Sequence, residues 1–280
     1  MKLGYFGIGS GPCADPEVAA RVARALEDAG FESAWTGEHV VLPDPQAPPS
    51  PASPRFPMLH PAVALAYVAG LTRTLRLGTG IVILPQRNPV VLAKELASLD
   101  VVSGGRLEFG LGVGYLKPEF DALGVPFERR GARSDEYIDA IRALWTQEQP
   151  SFAGEFVSFS GIDARPRPVQ QPTPPIVVGG HSPGALARAV ARGDGWYGFA
   201  LTPDAAQSCI DGLRHAERER GRPQGLRPLQ ISVTPAVPLD RDTARRYEDL
   251  GVDRLIPLSM ERSPDALVES LEKLAAELLS

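Results

Sequence analysis

Apolar residues recur at helical spacing along the chain. Val18, Val22 and Leu26 fall on one face, with Gly30 as the stop. Leu92, Leu96 and Leu99 repeat the pattern before Gly104-Gly105, and Ile138, Ile141 and Trp145 do so again. Leu267, Leu271, Leu274 and Leu278 form a C-terminal stripe. A polar residue followed by proline precedes helical patterns at Asp15-Pro16, Asn88-Pro89, Ser182-Pro183, Thr202-Pro203 and Ser263-Pro264, with His60-Pro61 a weaker form. Such a side chain can accept a bond from a free helix N–H, and proline suits the first helical position because its missing N–H is not needed there.

Between these helices lie short apolar runs: Leu3–Ile8, Ser33–Gly37, Leu75–Leu84, Leu107–Val113, Ile176–Val178, Gly195–Ala200, Leu229–Val237 and Arg254–Leu258. Several are continuously apolar rather than alternating, as expected of parallel strands covered on both faces. Repeated alternation of strand and helix predicts a closed barrel or a large doubly wound sheet, and alternation alone leaves both open. Two segments break the rhythm. The proline-rich stretch from Pro43 to Pro57 follows the second strand and, in a barrel, would lie over the C-terminal face. Ser151 to Pro174 contains Phe152-Ala153-Gly154-Glu155-Phe156, which reads as a small hairpin before the fifth strand. Both are insertions within one domain spanning 1–280.

Composition narrows the classes. The 280 residues are 43% hydrophobic and 22% charged, which suits a globular protein, and a (β/α)8 barrel needs about 250 residues. A net charge of −5 gives no general footprint for nucleic acid. Cys13 and Cys209 are the only cysteines, so neither a disulfide framework nor a thiolate zinc site is expected, and no metal is. No stretch approaches the roughly 20 apolar residues that cross a bilayer, and the first ten residues do not read as a signal peptide. A reducing cytoplasm and a small-molecule substrate, with no membrane partner, are therefore expected.

Barrel chemistry sits at the C-terminal ends of strands. The second strand ends Trp35-Thr36-Gly37-Glu38-His39, where His39 can exchange a proton near neutral pH and Glu38 can orient it or bind a polar cofactor edge. A satisfied structural histidine beside a surface acid fits the same letters. Gly78 and Gly80 interrupt the third strand, and Gly110, Gly112 and Gly114 the end of the fourth. Glycine inside a strand marks a bulge or a close backbone approach, although barrel taper asks for small residues too. The fifth strand ends Gly179-Gly180-His181-Ser182-Pro183, leading two glycines into a helix N-terminus that favours phosphate. HExxH, GxSxG and EF-hand patterns do not occur.

The ordered series Ala29-Gly30-Phe31-Glu32, Glu38-His39, Leu75 to Gly80, Arg87-Asn88-Pro89, Leu99 to Leu107, Gly110 to Gly114, Gly179 to Pro183 and Gly193-Asp194-Gly195-Trp196 resembles the luciferase-like monooxygenase superfamily. Within it, the chain is most similar to small F420-dependent oxidoreductases. The resemblance implies a (β/α)8 TIM barrel with insertions after strand 2 and before strand 5. It implies a non-proline cis peptide between Gly80 and Ile81 behind the coenzyme ring. It places His39 near the reactive face and Gly179, Gly180, His181 and Ser182 at the phosphate end, with Gly112 and Gly114 also against the cofactor. It also implies a homodimer.

The chain departs from the superfamily's sugar-phosphate dehydrogenases. Val40-Val41-Leu42-Pro43 stands where they carry a tryptophan, and Tyr115-Leu116-Lys117 where they carry a glutamate. Their substrate is therefore not carried over, and Glu119 is expected to anchor structure. The activity implied is hydride transfer with F420 and His39 as proton donor or acceptor. An FMN-dependent monooxygenase and a non-catalytic cofactor-binding barrel are the alternatives. Arg87, Arg129 and Arg130 are candidate contacts for the oligoglutamate tail of F420, and solvated surface charges on the other reading.

Overall fold

The computed structural model describes residues 1–279. In chain order the elements are β1 (Lys2–Phe6), α1 (Pro16–Asp28), β2 (Ser33–Thr36), α2 (Pro61–Leu71), β3 (Arg76–Thr79), β4 (Val82–Ile83), α3 (Pro89–Val102), β5 (Leu107–Gly112), α4 (Lys117–Ala122) and α5 (Arg130–Thr146). They continue with β6 (Phe152–Ala153), β7 (Ser158–Phe159), β8 (Ile176–Gly179), α6 (Pro183–Arg192), β9 (Gly195–Leu201), α7 (Pro203–Arg220), β10 (Gln230–Pro235), α8 (Arg241–Asp249), β11 (Arg254–Leu255) and α9 (Pro264–Leu278).

The choice between barrel and open sheet falls to the barrel. Parallel pairing runs β1–β2–β3–β5–β8–β9–β10–β11, and β11 pairs with β1 as well as with β10. β4 resumes the line of β3 beyond Gly80 and Ile81 and also pairs with β5. The ring therefore has eight staves and no edge. The core between strands and helices is one cluster that includes Val22, Leu26, Leu92, Leu96, Ile138, Ile141, Leu267 and Leu271, the positions the helical spacing marks.

The proline signature marks real helix starts. Asp15 accepts from the N–H of Glu17 and Val18, Asn88 from Val90 and Val91, Ser182 from Ala185, and Thr202 from Ala205. Ser263 and His60 make no such side-chain bond, so there proline alone sets the first turn. Gly30 closes α1 at φ +85°, a left-handed turn that glycine adopts without steric cost.

Trp35 fills the barrel interior. A Cβ at Gly78 would lie 2.2 Å from its indole, and one at Gly110 would lie 1.8 Å from the Thr79 carbonyl. These two glycines answer to barrel packing. Tyr197 stacks on Trp35 at 5.8 Å, and Val177 and Ile256 complete the inner cluster. Beneath the indole, Arg254 lies 5.3 Å from the ring and closes the other end of the barrel.

The Pro43–Pro57 loop leaves the C-terminal end of β2. It returns beside the segment that follows β1, where Gly11 N–H donates to the Pro57 carbonyl at 2.9 Å and Ser10 bridges Met58. It thus belongs to the C-terminal mouth. The hairpin of β6 and β7 is held to α5 by Glu136, whose carboxylate accepts from the N–H of Glu155, Phe156 and Val157.

Candidate active site

Alternation along β2 decides which residues reach the mouth. Successive strand residues face opposite sides. Ala34 belongs to the outer core and Trp35 to the inner cluster. Continuing the period, Gly37 and His39 face inward and Glu38 outward. The contacts agree: Gly37 abuts Phe6, whereas the Glu38 carboxylate accepts from Ile83 N–H at 2.8 Å and pairs with Arg87. Glu38 therefore does not orient His39. It fastens the end of β2 to β4 and to the turn before α3.

The partner of His39 is Glu119, eighty residues away on α4. His39 Nδ1 lies 3.2 Å from Glu119 Oε2, and the other carboxylate oxygen accepts from Val40 N–H at 2.6 Å. The Glu119 side chain is wholly buried and that of His39 is 11% exposed. Burial alone would raise the Glu119 pKa, but hydrogen bonding and charge from His39, with the bond from Val40 N–H, outweigh it and hold the carboxyl below its usual range. An ionised Glu119 accepts a hydrogen bond from Nδ1–H, and in that tautomer the lone pair of the imidazole is on Nε2. The ring of Tyr115 stands edge-on to His39 at 5.9 Å, and burial, with the nearby Glu119 charge, raises its pKa. The side-chain amide of Gln86, beside Glu119, is buried and makes no hydrogen bond of good geometry.

The floor of the mouth is apolar. Phe6 packs against the inner cluster and against Phe199 at 5.2 Å, and Ile81 lies beside them. The Gly80–Ile81 peptide is cis. The Ile81 side chain occupies the space beside Gly112 and Gly179, where a Cβ would fall 2.7 and 2.9 Å from it. Gly114, at φ +73°, similarly gives room to Ile83 and Phe120. These glycines let Ile81 and its neighbours lie flat across β5 and β8.

At the end of β8 the chain turns through Gly180 at φ +114°, and its carbonyl accepts from the Trp196 indole N–H at 2.8 Å. His181 Nε2 accepts from Phe199 N–H at 3.2 Å, and desolvation lowers its pKa, so both effects keep this imidazole neutral. Ser182 caps α6, and a Cβ at Gly184 in its first turn would meet only Ser182 Oγ, at 4.0 Å. The three arginines have other partners. Arg87 pairs with Glu38, Arg129 pairs with Glu155 over Phe156, and Arg130 donates to the Gly114 carbonyl while stacking on Phe127.

Sequence reasoning missed Glu119 as the orienting partner and Gln86 altogether. Among the described residues no cluster of ligating side chains could hold a metal ion, and no helix is long and apolar enough to cross a membrane.

Known proteins match this architecture along nearly its whole length. A protein of Mycobacterium tuberculosis of uncharacterized function is 33% identical over 273 residues, covering 92% of this chain and 93% of its own. The oxygenase component of a flavin-dependent trigonelline monooxygenase from Acinetobacter baylyi is 35% identical over 166 residues, 59% of this chain and 43% of its own. Among solved structures, an F420-dependent secondary alcohol dehydrogenase in complex with an F420-acetone adduct superposes with a TM-score of 0.78 at 16% identity, covering 98% of this chain and 97% of its own. The model of the luciferase-like monooxygenase family matches residues 5–277, and the chain belongs to that family.

Proposed function

We propose that the chain is an F420-dependent oxidoreductase that exchanges hydride with a small organic substrate at the barrel mouth, with His39 moving the coupled proton. The observation that carries this reading is the His39–Glu119 pair at the edge of an apolar floor, with the buried carboxylate on Nδ1. The residues fit the coenzyme. Phe6, Ile81 and Phe199 offer a flat apolar face for a planar ring, and Gly180 to Gly184 put a glycine turn and a helix N-terminus where a phosphate would lie. Bound there, F420 would supply the carbon that accepts or gives the hydride.

Glu119 fixes the imidazole tautomer, and His39 Nε2 takes the proton from a substrate hydroxyl or returns it. Glu38 is a positioning residue behind this pair. Gly112 and Gly179 act through the Ile81 platform, Gly114 through Ile83 and Phe120 beside it, and Gly180, His181 and Ser182 through the phosphate end. The solved F420 enzyme of the same fold supports this coenzyme.

The similarity to a flavin-dependent monooxygenase favours a second reading, in which reduced FMN and oxygen use the same floor. Titration of the purified protein with F420 and with FMN separates them. The first reading expects F420 to bind the tighter; tighter FMN, with substrate-dependent oxygen uptake, replaces it with the second.

We assign a homodimer to the face of α2 and α3. Outward-facing residues of α2 include Val63, Ala66, Tyr67 and Gly70, and α3 presents Val91 and Val102; Val63, Val91 and Val102 are each 64% exposed. Such a face is unusual on a monomer. Light scattering at twice the 30.0 kDa chain mass is expected, and a monomer removes the assignment. Free, buried Cys13 and Cys209 fit a reducing cytoplasm.

A further inference from the structure

At the end of β8 the parallel ladder to β9 breaks off. Gly180 N–H still donates to the Tyr197 carbonyl, at 3.3 Å. A regular parallel ladder would next take Phe199 N–H to the Gly180 carbonyl. Instead the chain turns at Gly180, φ +114°, and that carbonyl accepts from the Trp196 indole at 2.8 Å. Phe199 N–H donates to His181 Nε2 at 3.2 Å, so an imidazole stands where a strand carbonyl would.

On its other side β9 bulges. Gly198 pairs with Val233 and Leu201 with Pro235, so β9 carries an extra residue between these pairs. Ala200, in that bulge, has φ +53°, a left-handed conformation that alanine rarely adopts. A bulge at a barrel rim re-aims a side chain. Here the side chain is Phe199, 41% exposed, with its ring 5.2 Å from that of Phe6 in the floor.

A backbone N–H can only donate, so Nε2 of His181 carries the lone pair and Nδ1 the proton. Protonation of Nε2 would set two donors face to face. The surroundings keep the ring neutral. Desolvation lowers the His181 pKa, and the residue precedes the N-terminus of α6, whose dipole disfavours a cation. Charged groups on the neighbouring helices are engaged elsewhere: Arg188 and Arg192 of α6 pair with Asp135 and Asp139 of α5, and Asp204 of α7 pairs with Arg246 of α8. Burial keeps the Tyr197 phenol of β9 protonated, and it donates to Thr234, whose own hydroxyl donates to the Ile256 carbonyl.

We propose that His181 is a positioning residue for the ring floor: through neutral Nε2 it holds the β9 bulge and sets Phe199 across the mouth. It thereby joins the turn after β8 to the face formed by Phe6, Ile81 and Phe199, and acid releases the two together. The consequence for a coenzyme rests on the mouth being the coenzyme site; the tie between His181 and Phe199 stands without it.

The test follows the Phe199 amide by NMR in the full-length protein without coenzyme. As pH falls below about 6.5, the ordinary histidine value, its signal should move with the same midpoint as the His181 ring. At neutral pH, His181→Leu should speed hydrogen exchange at Phe199 about fivefold or more, the effect of losing one ordinary hydrogen bond. His181→Gln, whose amide oxygen can accept but does not titrate, should restore slow exchange and abolish the movement with pH. Two phosphate-free ring fragments, riboflavin and the deazaflavin core of F420, should bind His181→Leu several-fold more weakly, because the floor is no longer preorganised, and His181→Gln almost as wild type. A Phe199 signal that ignores the His181 midpoint, or exchange that is equal in wild type and folded His181→Leu, overturns the tie. Equal fragment affinity in those two proteins overturns the part played by His181 in the floor. Titration with intact F420 and FMN reads the coenzyme assignment separately. If neither coenzyme nor fragment binds, that assignment fails, and the Phe199 signal still decides the tie.

Discussion

Where the strands begin, charge is buried and matched. Arg254 donates to both oxygens of Glu108 at 2.7 Å and to both of Glu32 at 2.8 and 2.9 Å, and Arg76 reaches Glu108 at 2.6 Å. Burial alone would raise the Glu108 pKa, but these cations hold it below the usual carboxylate range. Nearby, Glu27 accepts from the N–H groups of Arg73, Thr74 and Leu75. Where the strands end, the accounts are left open. The Gln86 amide is buried without a well-formed bond, His39 has one engaged nitrogen, and Phe199, Tyr115 and Leu258 face solvent. The contrast separates two jobs. Matched charge fixes the barrel at one end, and unspent polar and apolar groups at the other are what a ligand would use.

That division can be broken at either end. His39→Ala should lower turnover of the folded protein by about 10²–10⁴-fold, the range for general acid–base catalysis, with coenzyme affinity nearly unchanged. Weakened binding with normal turnover at saturation would make His39 a lining residue. Arg254→Met should do the reverse. It leaves Glu32 and Glu108 without their shared cation and should cost about 3–5 kcal/mol in urea unfolding, while folded protein turns over as before. Lost turnover in fully folded Arg254→Met would show that the two ends are not independent.

Glu119→Gln sharpens the claim about the mouth. It keeps shape but removes the anion on Nδ1, and should lower kcat by about 10–100-fold with coenzyme affinity nearly unchanged, as for other orienting partners. Loss confined to stability, with normal kcat, would return Glu119 to a purely structural role. The smallest effect concerns acid. The backbone N–H groups around Glu27 outweigh burial and hold its carboxyl at about 2, below the unfolded value. Its contribution is thus present above the unfolded carboxylate pKa and is lost as pH falls toward 2. Glu27→Gln should flatten that part of the stability curve against pH; an unchanged acid limb would contradict it.

The staves, the helix starts and His39 were legible because they are local. Apolar runs, polar-proline pairs and a strand-end histidine are each contained in a few residues. Two helices carry no such signal: α8 begins at Arg241, capped by Asp240 without a proline, and α4 is a six-residue turn. The orienting acid was not local. Glu38 sits beside His39 in sequence, yet strand alternation turns it to the opposite face, whereas Glu119 arrives from α4 through tertiary packing. Strand glycines fit either a close backbone approach or barrel taper, and Gly78 and Gly110 serve Trp35 and the backbone, a distinction that only the packed interior reveals.

The most direct test of the mouth as coenzyme site is to watch the chain's four histidines by NMR while F420 is added. His39 and His181 stand at the ends of β2 and β8, whereas His215 lies on α7. The account predicts that the ring signals of His39 and His181 shift together as the coenzyme saturates, with His215 unmoved. Saturable F420 binding that leaves His39 and His181 unchanged would place the coenzyme elsewhere and contradict it.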